Sequence, residues 1–322
     1  MKINLSSRLT LLMVLSAMFL GACGTAKESL APTPTNTMPS PAQTGETVRV
    51  GILVAVQSMT AVNEQYGDLM AYLSKATGRP FTIVPLTNKN QLPSVEQQGM
   101  EFLFTNPLAA VQARRLYGVD FLATLSRPDS GTKFSALIIA RKDGNIQSVE
   151  DMRGKRAAGV SFTTAAAGGV FQIYELLQKG FDPFKDFESF VEITSQENIV
   201  LGVLNGTLDV GFVRTGMLES MQKAGTITQA DVDALEIVNA VEDGFFYQHS
   251  TALYPEWPFA ALAETDPELS EAVRAALLAI PPGDPALASA KITGFVPAED
   301  YSSLDKLIET LKLPGWDAVP NP

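Results

Sequence analysis

The chain has one cysteine, Cys23, and one histidine, His249, in 322 residues. A lone cysteine excludes a disulfide framework. One histidine and one cysteine cannot build a zinc-type metal site. There is no GxSxG elbow, no HExxH helix and no phosphate-binding P-loop. No catalytic residue, cofactor or metal is therefore expected, and a secreted enzyme is the least favoured class. Basic residues are also scarce: 24 Lys and Arg stand against 35 Asp and Glu, a formal charge of −11. That balance argues against nucleic acid or an anionic membrane surface as partner. Beyond the N-terminus no run is apolar enough to cross a bilayer. Glu64 and Asp68 make an i,i+4 carboxylate pair, but on the polar face of an expected helix, where no catalytic role is needed.

What is present begins with a leader. Lys2 and Arg8 form a positive n-region before an apolar core, residues 9–20, too short to span a bilayer comfortably. Leu20, Gly21, Ala22 and Cys23 follow, resembling a bacterial lipobox. The resemblance implies removal of residues 1–22 and lipidation of Cys23; the plainer alternative is a general secretory signal with a chance cysteine. Residues 23–46 include APTPTNTMPSPAQTG, rich in Pro, Thr and Ser. Such a segment cannot bury enough surface to offset its ordering entropy, so a disordered tether is expected.

The body opens with a buried strand, RVGILV (49–54), then a loop holding Ser58. A helix follows with Val62, Tyr66, Leu69 and Leu73 at helical spacing, ending at Gly78. Strands are expected at 81–85, 102–104, 119–125 and 134–140. Thr105, Asn106 and Pro107 start a helix after the third, Asn being a preferred N-cap and Pro suiting the first turn. In the second half a strand at 157–160 runs into Ser161, Phe162, Thr163 and Thr164, and a helix carrying Ala166, Val170, Ile173 and Leu177 on one face is expected to begin there and stop at Gly180. Hydroxyls at a helix start can cap it, or can share an anion with the free N–H groups and the helix dipole. Further strands at 190–193 and 210–213 are each followed by a helix. The alternation of strand and helix reads as parallel-sheet α/β architecture.

The opening RVGILV, TNP after a strand, VEDMRGKRAAGV, a hydroxyl loop before AGG, and NGTLDVGFVRTGMLE together resemble the phosphonate/phosphite-type periplasmic solute-binding proteins. STALYPEWPFAAL and VRTGMLESM are similar to the branch that includes the sensor domain of tetrathionate-responsive histidine kinases. The resemblance spans about residues 48–314. It implies a type II periplasmic-binding-protein fold: two α/β lobes, a two-strand hinge and a ligand cleft between them. Lobe 1 would be residues 47–135 plus 250–316, lobe 2 residues 136–249, and 317–322 a tail. Ligands of open α/β sheets lie beyond the carboxyl ends of the strands, where helix N-termini converge.

On that template Thr105 and Asn106 would face Thr163 and Thr164 across the cleft. Phosphonate binders of the family carry more hydroxyls in the second loop than TTAAAGG offers, which puts phosphonate itself in doubt. Arg127 and Arg214 follow strands, where a guanidinium fork can hold an oxyanion or simply make a salt bridge. Ser58, Thr215, His249, Ser250 and Thr251 complete the candidate set, His249 reading equally as a structural residue near the hinge. Tyr247, Tyr254 and Trp257 read as core or hinge packing. The resemblance implies an extracytoplasmic, lipid-anchored, monomeric binding protein for a small anion. Its partner would be an ABC transporter permease or, alternatively, a sensor kinase.

Overall fold

The computed structural model describes residues 45–54 and 58–318, all within one unit, Gln43–Pro322. The expected leader, Cys23 and nearly all of the tether lie outside the described residues, as do 55–57 and 319–322. Thirteen strands are present among them: β1 (Val48–Leu53), β2 (Phe81–Leu86), β3 (Phe102–Phe104), β4 (Asp120–Ser126), β5 (Lys133–Phe134), β6 (Ala136–Arg141), β7 (Arg156–Gly159), β8 (Ser189–Glu192), β9 (Val210–Arg214), β10 (Leu235–Val238), β11 (Tyr254–Pro255), β12 (Pro258–Ala261) and β13 (Gly294–Pro297).

They form a six-stranded sheet, β13-β4-β12-β3-β1-β2, a five-stranded sheet, β10-β6-β9-β7-β8, and a two-stranded ribbon, β11-β5. Both large sheets are mixed, which corrects the parallel expectation: β12 lies antiparallel between β3 and β4, and β6 lies antiparallel to β9 and β10. The cause is the chain path. β6 and β12 each enter their sheet directly from the crossing between the sheets, so they run against strands that enter from the far side. The type II periplasmic-binding-protein fold is the result.

Local chemistry explains the helices. Ser58 caps α1 (Met59–Thr77), its hydroxyl accepting from the Ala61 N–H, and Gly78 ends it at φ 73°. Val62, Tyr66, Leu69 and Leu73 recur three or four residues apart and are buried against the first sheet. Asn106 caps α2 (Pro107–Tyr117), accepting from the Ala109 N–H at 3.1 Å, with Pro107 in the first turn. In the core beneath, Phe104 and Phe259 lie 5.6 Å apart and Phe104 and Phe295 6.0 Å, pairs that contribute about 0.5–1.5 kcal/mol each beyond their burial. No helix among the described residues is long and apolar enough to cross a membrane.

Two crossing segments join the sheets. One runs from β5 through Ser135 into β6, and the other runs from Ser250 through Thr251 to β11. Ser250 N–H donates to Ala136 O and Ser250 Oγ accepts from Ile138 N–H. Phe171, in α3 (Val170–Gln178), stacks on Tyr254 at 3.9 Å, so the second sheet's helix packs directly on the crossing. The C-terminal helix, α4 (Ser302–Leu311), buries Leu304, Leu307 and Ile308 and returns the chain to α2. There Arg115, with 2% of its side chain exposed, donates to the carbonyls of Gly315, Trp316 and Ala318 and pairs with Asp305 and Glu309.

Arg115→Ala should lower stability by about 2–4 kcal/mol, because it strands buried acceptors; partial exposure of Glu309 holds the figure below a fully buried pair. A fall in denaturation midpoint measures this, and a change under about 0.5 kcal/mol would show that the tail is not fastened there. In the second sheet Arg156 grips Asp209 with its fork and its own N–H, and these bonds, led by the side-chain one, hold the Asp209 carboxyl below the usual range. A lowered folded-state pKa stabilises above the unfolded value of about 3.9, and the contribution is lost as pH falls through the folded value. Asp209→Asn should therefore lessen acid sensitivity below about pH 4 in melts taken across pH.

Candidate functional site

β1, β2, β3 and β4 point their carboxyl ends the same way, as do β7, β8 and β9. Both sets of ends meet at the junction between the sheets. Two surface hollows, beside Leu201 and Asp231 and beside Arg114 and Glu299, include none of the loop residues that meet at this junction. The junction is instead marked by convergent polar groups.

On one side the loop after β7 is bonded straight onto the first sheet's loops. Thr164 O accepts from Asn106 Nδ2 at 3.0 Å and from Gln91 Nε2 at 3.4 Å, and Thr163 O accepts from Gln112 Nε2 at 3.0 Å. Thr164 Oγ1 donates to Asn88 O at 2.6 Å. Thr105, fully buried, donates to Gln91 Oε1 at 2.5 Å and so orients that amide. Thr105, Asn106, Thr163 and Thr164 do meet, but they engage one another. Nor do the two threonines open a helix. Residues 161–169 double back, with Val160 N–H on Gly168 O at 2.5 Å, and α3 starts only at Val170 with Gly169 as an N-cap that makes no side-chain bond. Gly169 permits this, since a Cβ there would collide with Ser161 O. The expected site at a helix N-terminus is thus displaced. Phe162 is half-buried against the second sheet and stacks on Phe190 at 3.9 Å.

On the other side stand two arginines, one from each sheet. Arg127, after β4, donates through Nε to Glu256 Oε1 at 2.7 Å. Glu256 is 1% exposed and its second oxygen accepts from Trp257 N–H at 3.3 Å. Burial alone would lower the Arg127 pKa, but the adjacent carboxylate more than offsets it and the net shift is upward. Arg127 keeps 34% of its side chain open to water. Arg214, ending β9, donates to Thr215 O at 2.9 Å and to Ser220 Oγ at 3.3 Å and has no carboxylate partner among the described residues. Its pKa is pushed down, first by burial and then by repulsion from Arg127. Gln196 Oε1 accepts from the Arg214 N–H at 2.7 Å and fixes its backbone. Tyr247, beside Gly216 and Arg214, reaches the first sheet's side, donating to Asp129 Oδ2 at 3.1 Å.

The remaining candidates sit elsewhere. Ser58 is an exposed helix cap. Thr215 exchanges bonds with Ser135, and Ser250 and Thr251 are buried in the crossing segments. His249 is 1% exposed, with Nδ1 2.7 Å from Thr251 O and Nε2 2.9 Å from Asp243, so both ring nitrogens are occupied at the hinge. Tyr254 is hinge packing and Trp257 packs edge-on to Phe104. Sequence reasoning missed Gln91, Gln112, Gln196, Tyr66 and Glu256. A glutamate inside the otherwise apolar, aromatic YPEWPF was the one available signal.

Residues 52–302 match the family described as ABC transporter, phosphonate, periplasmic substrate-binding protein. A curated relative, the tetrathionate sensor histidine kinase of Salmonella typhimurium, is 28% identical over 241 residues, 73% of this chain; the chain spans 40% of that relative's length. Among solved structures, a Xanthomonas citri protein bound to ATP is 18% identical with a TM-score of 0.67, covering 85% of this chain and 100% of that one. The PhnD1 protein of Prochlorococcus marinus in complex with methylphosphonate is 16% identical with a TM-score of 0.65, covering 83% and 98%. A binding-protein component of an ABC phosphonate transporter from Pseudomonas aeruginosa is 17% identical with a TM-score of 0.66, covering 82% and 84%. With the fold, the converging strand ends and a family match over more than half its length, the chain belongs to the phosphonate-type periplasmic substrate-binding proteins of ABC transporters.

Proposed function

We propose that this protein is an extracytoplasmic lipoprotein, held by a lipid on Cys23, that closes two lobes over a small anion and passes it to an ABC transporter permease. The lobes are residues 47–135 plus 250–316 and residues 136–249. The observation that carries the reading is Arg214: a half-buried guanidinium with no carboxylate partner among the described residues, beside Gly216 and Tyr247, whose hydroxyl reaches Asp129 in the loop of Arg127. Leaving such a charge unpaired is costly, and an anion between the two arginines relieves it. Closure would trade bulk water around the ligand for these fixed donors. Binding, not turnover, is the expected activity. A second reading, an accessory that reports ligand to a histidine kinase, draws on the 28% identity to a sensor kinase of which the chain matches one part.

A thermal-shift screen of phosphite, phosphate, methylphosphonate, thiosulfate, tetrathionate and small carboxylates tests the anion. A site ligand at 100 times its Kd stabilises by about 2.7 kcal/mol. Arg214→Ala should weaken binding about 100-fold while leaving the unliganded melt nearly unchanged. If apolar or cationic solutes stabilise and no anion does, the reading is wrong. Thr164→Val removes the donor to Asn88 O and should weaken unliganded closure by about 0.5–1.5 kcal/mol. Small-angle scattering should then give a larger radius of gyration without ligand, restored when ligand is added; an unchanged radius would mean the loop contacts do not hold the lobes together.

A further inference from the structure

We infer that His249 is a proton-operated clasp: as an imidazolium it holds residues 239–250 in the shape that brings Tyr247 onto Asp129, and the clasp opens when the ring loses a proton. This segment links β10 to the second crossing and contains no strand or helix. Its base is closed by Asn239, whose Nδ2 donates to Ser250 O at 2.7 Å, and by Val241 N–H on His249 O at 2.9 Å. Its tip carries Phe245, Phe246 and Tyr247. Between base and tip the imidazole is 1% exposed and makes two bonds, Nδ1 to Thr251 O at 2.7 Å and Nε2 to Asp243 Oδ1 at 2.9 Å. From the tip, Tyr247 donates to Asp129 in the tight turn 127–131, which is closed by Arg127 N–H on Gly131 O and Gly131 N–H on Arg127 O. The clasp thus sets a link between the second sheet's side and the turn that bears Arg127.

Both partners of the ring are acceptors. A backbone carbonyl has no proton to give. Asp243 Oδ1 also accepts from Phe245 N–H at 3.0 Å, and the ring, followed by that N–H, holds the carboxyl below its usual range, so it is ionised. A neutral imidazole has one N–H and one lone pair, and either tautomer sets the lone pair against an acceptor. Only the doubly protonated ring satisfies both contacts. The proton that leaves is the one on Nε2, and it goes to solvent: Thr251 is fully buried, whereas Asp243 keeps 39% of its side chain exposed and can turn away. Asp243 then lets go of Phe245 N–H as well, and the tip loosens. The clasp is complete at low pH and is lost as pH rises through the titration of the ring. No other titratable side chain among the described residues bonds the ring. Glu242 is exposed, Phe245 lies edge-on at 5.5 Å, and Glu175 on α3 is directed at Asn239 and Lys179. Beyond the tip, Tyr247 stands between Asp129 and, beside Gly216, Arg214.

His249 is the chain's one histidine, so nitrogen-15 spectra of protein free of any histidine tag read this ring directly. Between about pH 5.5 and about pH 9 it should pass from two protons to one, keeping the proton on Nδ1. Hydrogen exchange over the same range, expressed as protection so that the intrinsic pH effect is removed, reads the clasp and the link. Residues 241–248 and 127–131 should each lose protection about tenfold or more, as expected for a lost hydrogen bond to a charged group. Asp243→Asn, whose amide can donate to the ring or accept from it, should flatten both profiles. Tyr247→Phe should flatten only the profile of 127–131 and leave that of 241–248 as it was. Melts establish that each variant folds. A ring with one proton at about pH 5.5, or with two at about pH 9, overturns the inference. So does a ring that titrates while protection of either segment stays constant, and so do variants that keep both wild-type profiles. None of these outcomes bears on whether an anion binds, which the thermal-shift screen decides separately.

Discussion

Glu256 is a carboxylate with almost no access to water, and the arrangement of the junction depends on its pairing with Arg127. It sits where the chain has just returned from the second sheet, between the ribbon β11-β5 and β12. Its N–H donates to Thr132 O and its C=O accepts from Tyr301 OH, so the backbone there is held from both sides. A buried charge stripped of its partner is unfavourable by several kcal/mol, less where the partner is partly solvated as Arg127 is. The pair therefore fixes where the first arginine points, and under the proposed function its neutrality would leave Arg214 to set the sign of the site.

The two sides of the junction have different characters. On the threonine side, carbonyls and amides of the protein satisfy one another, so closure there needs no third party. On the arginine side, Arg127 is paired with Glu256, while Arg214 has no carboxylate partner among the described residues. Under the proposed function such a difference would couple closure to occupancy: the first flank would supply alignment, and the second would reward a closed state that contains an anion.

Much of the scaffold was readable before the structure. Ser58 and Asn106 cap helices because Ser and Asn carry short acceptors, and Gly78 and Gly118 end them because they adopt positive φ at low strain. Such local signals do not encode sheet order, so the antiparallel placement of β6 and β12 came only with the crossing between sheets. The loop 161–169 misled because two hydroxyls before an apolar periodicity look like a cap, whereas Gly168 and Gly169 allow the backbone to fold back on itself first. Arg127 and Arg214 were legible as arginines after strands. Gln91, Gln112 and Gln196 were not, since an uncharged amide announces no chemistry until its partners are in place.

The crossing segments carry one more property. Ser135 Oγ has Thr251 O and Thr251 Oγ1 at 2.8 Å and Ala252 O at 3.0 Å, while Ser135 N–H and C=O both bond Thr215 Oγ1. A hydroxyl with several acceptors in reach changes partner by turning about one bond, with no backbone unit left bare in between. Were the two sheets to move about these segments as proposed, such a hinge would act as a bearing rather than a spring: it would confine the motion to a narrow axis without storing energy that favours either end, and the balance between open and shut would be handed to the groups at the mouth.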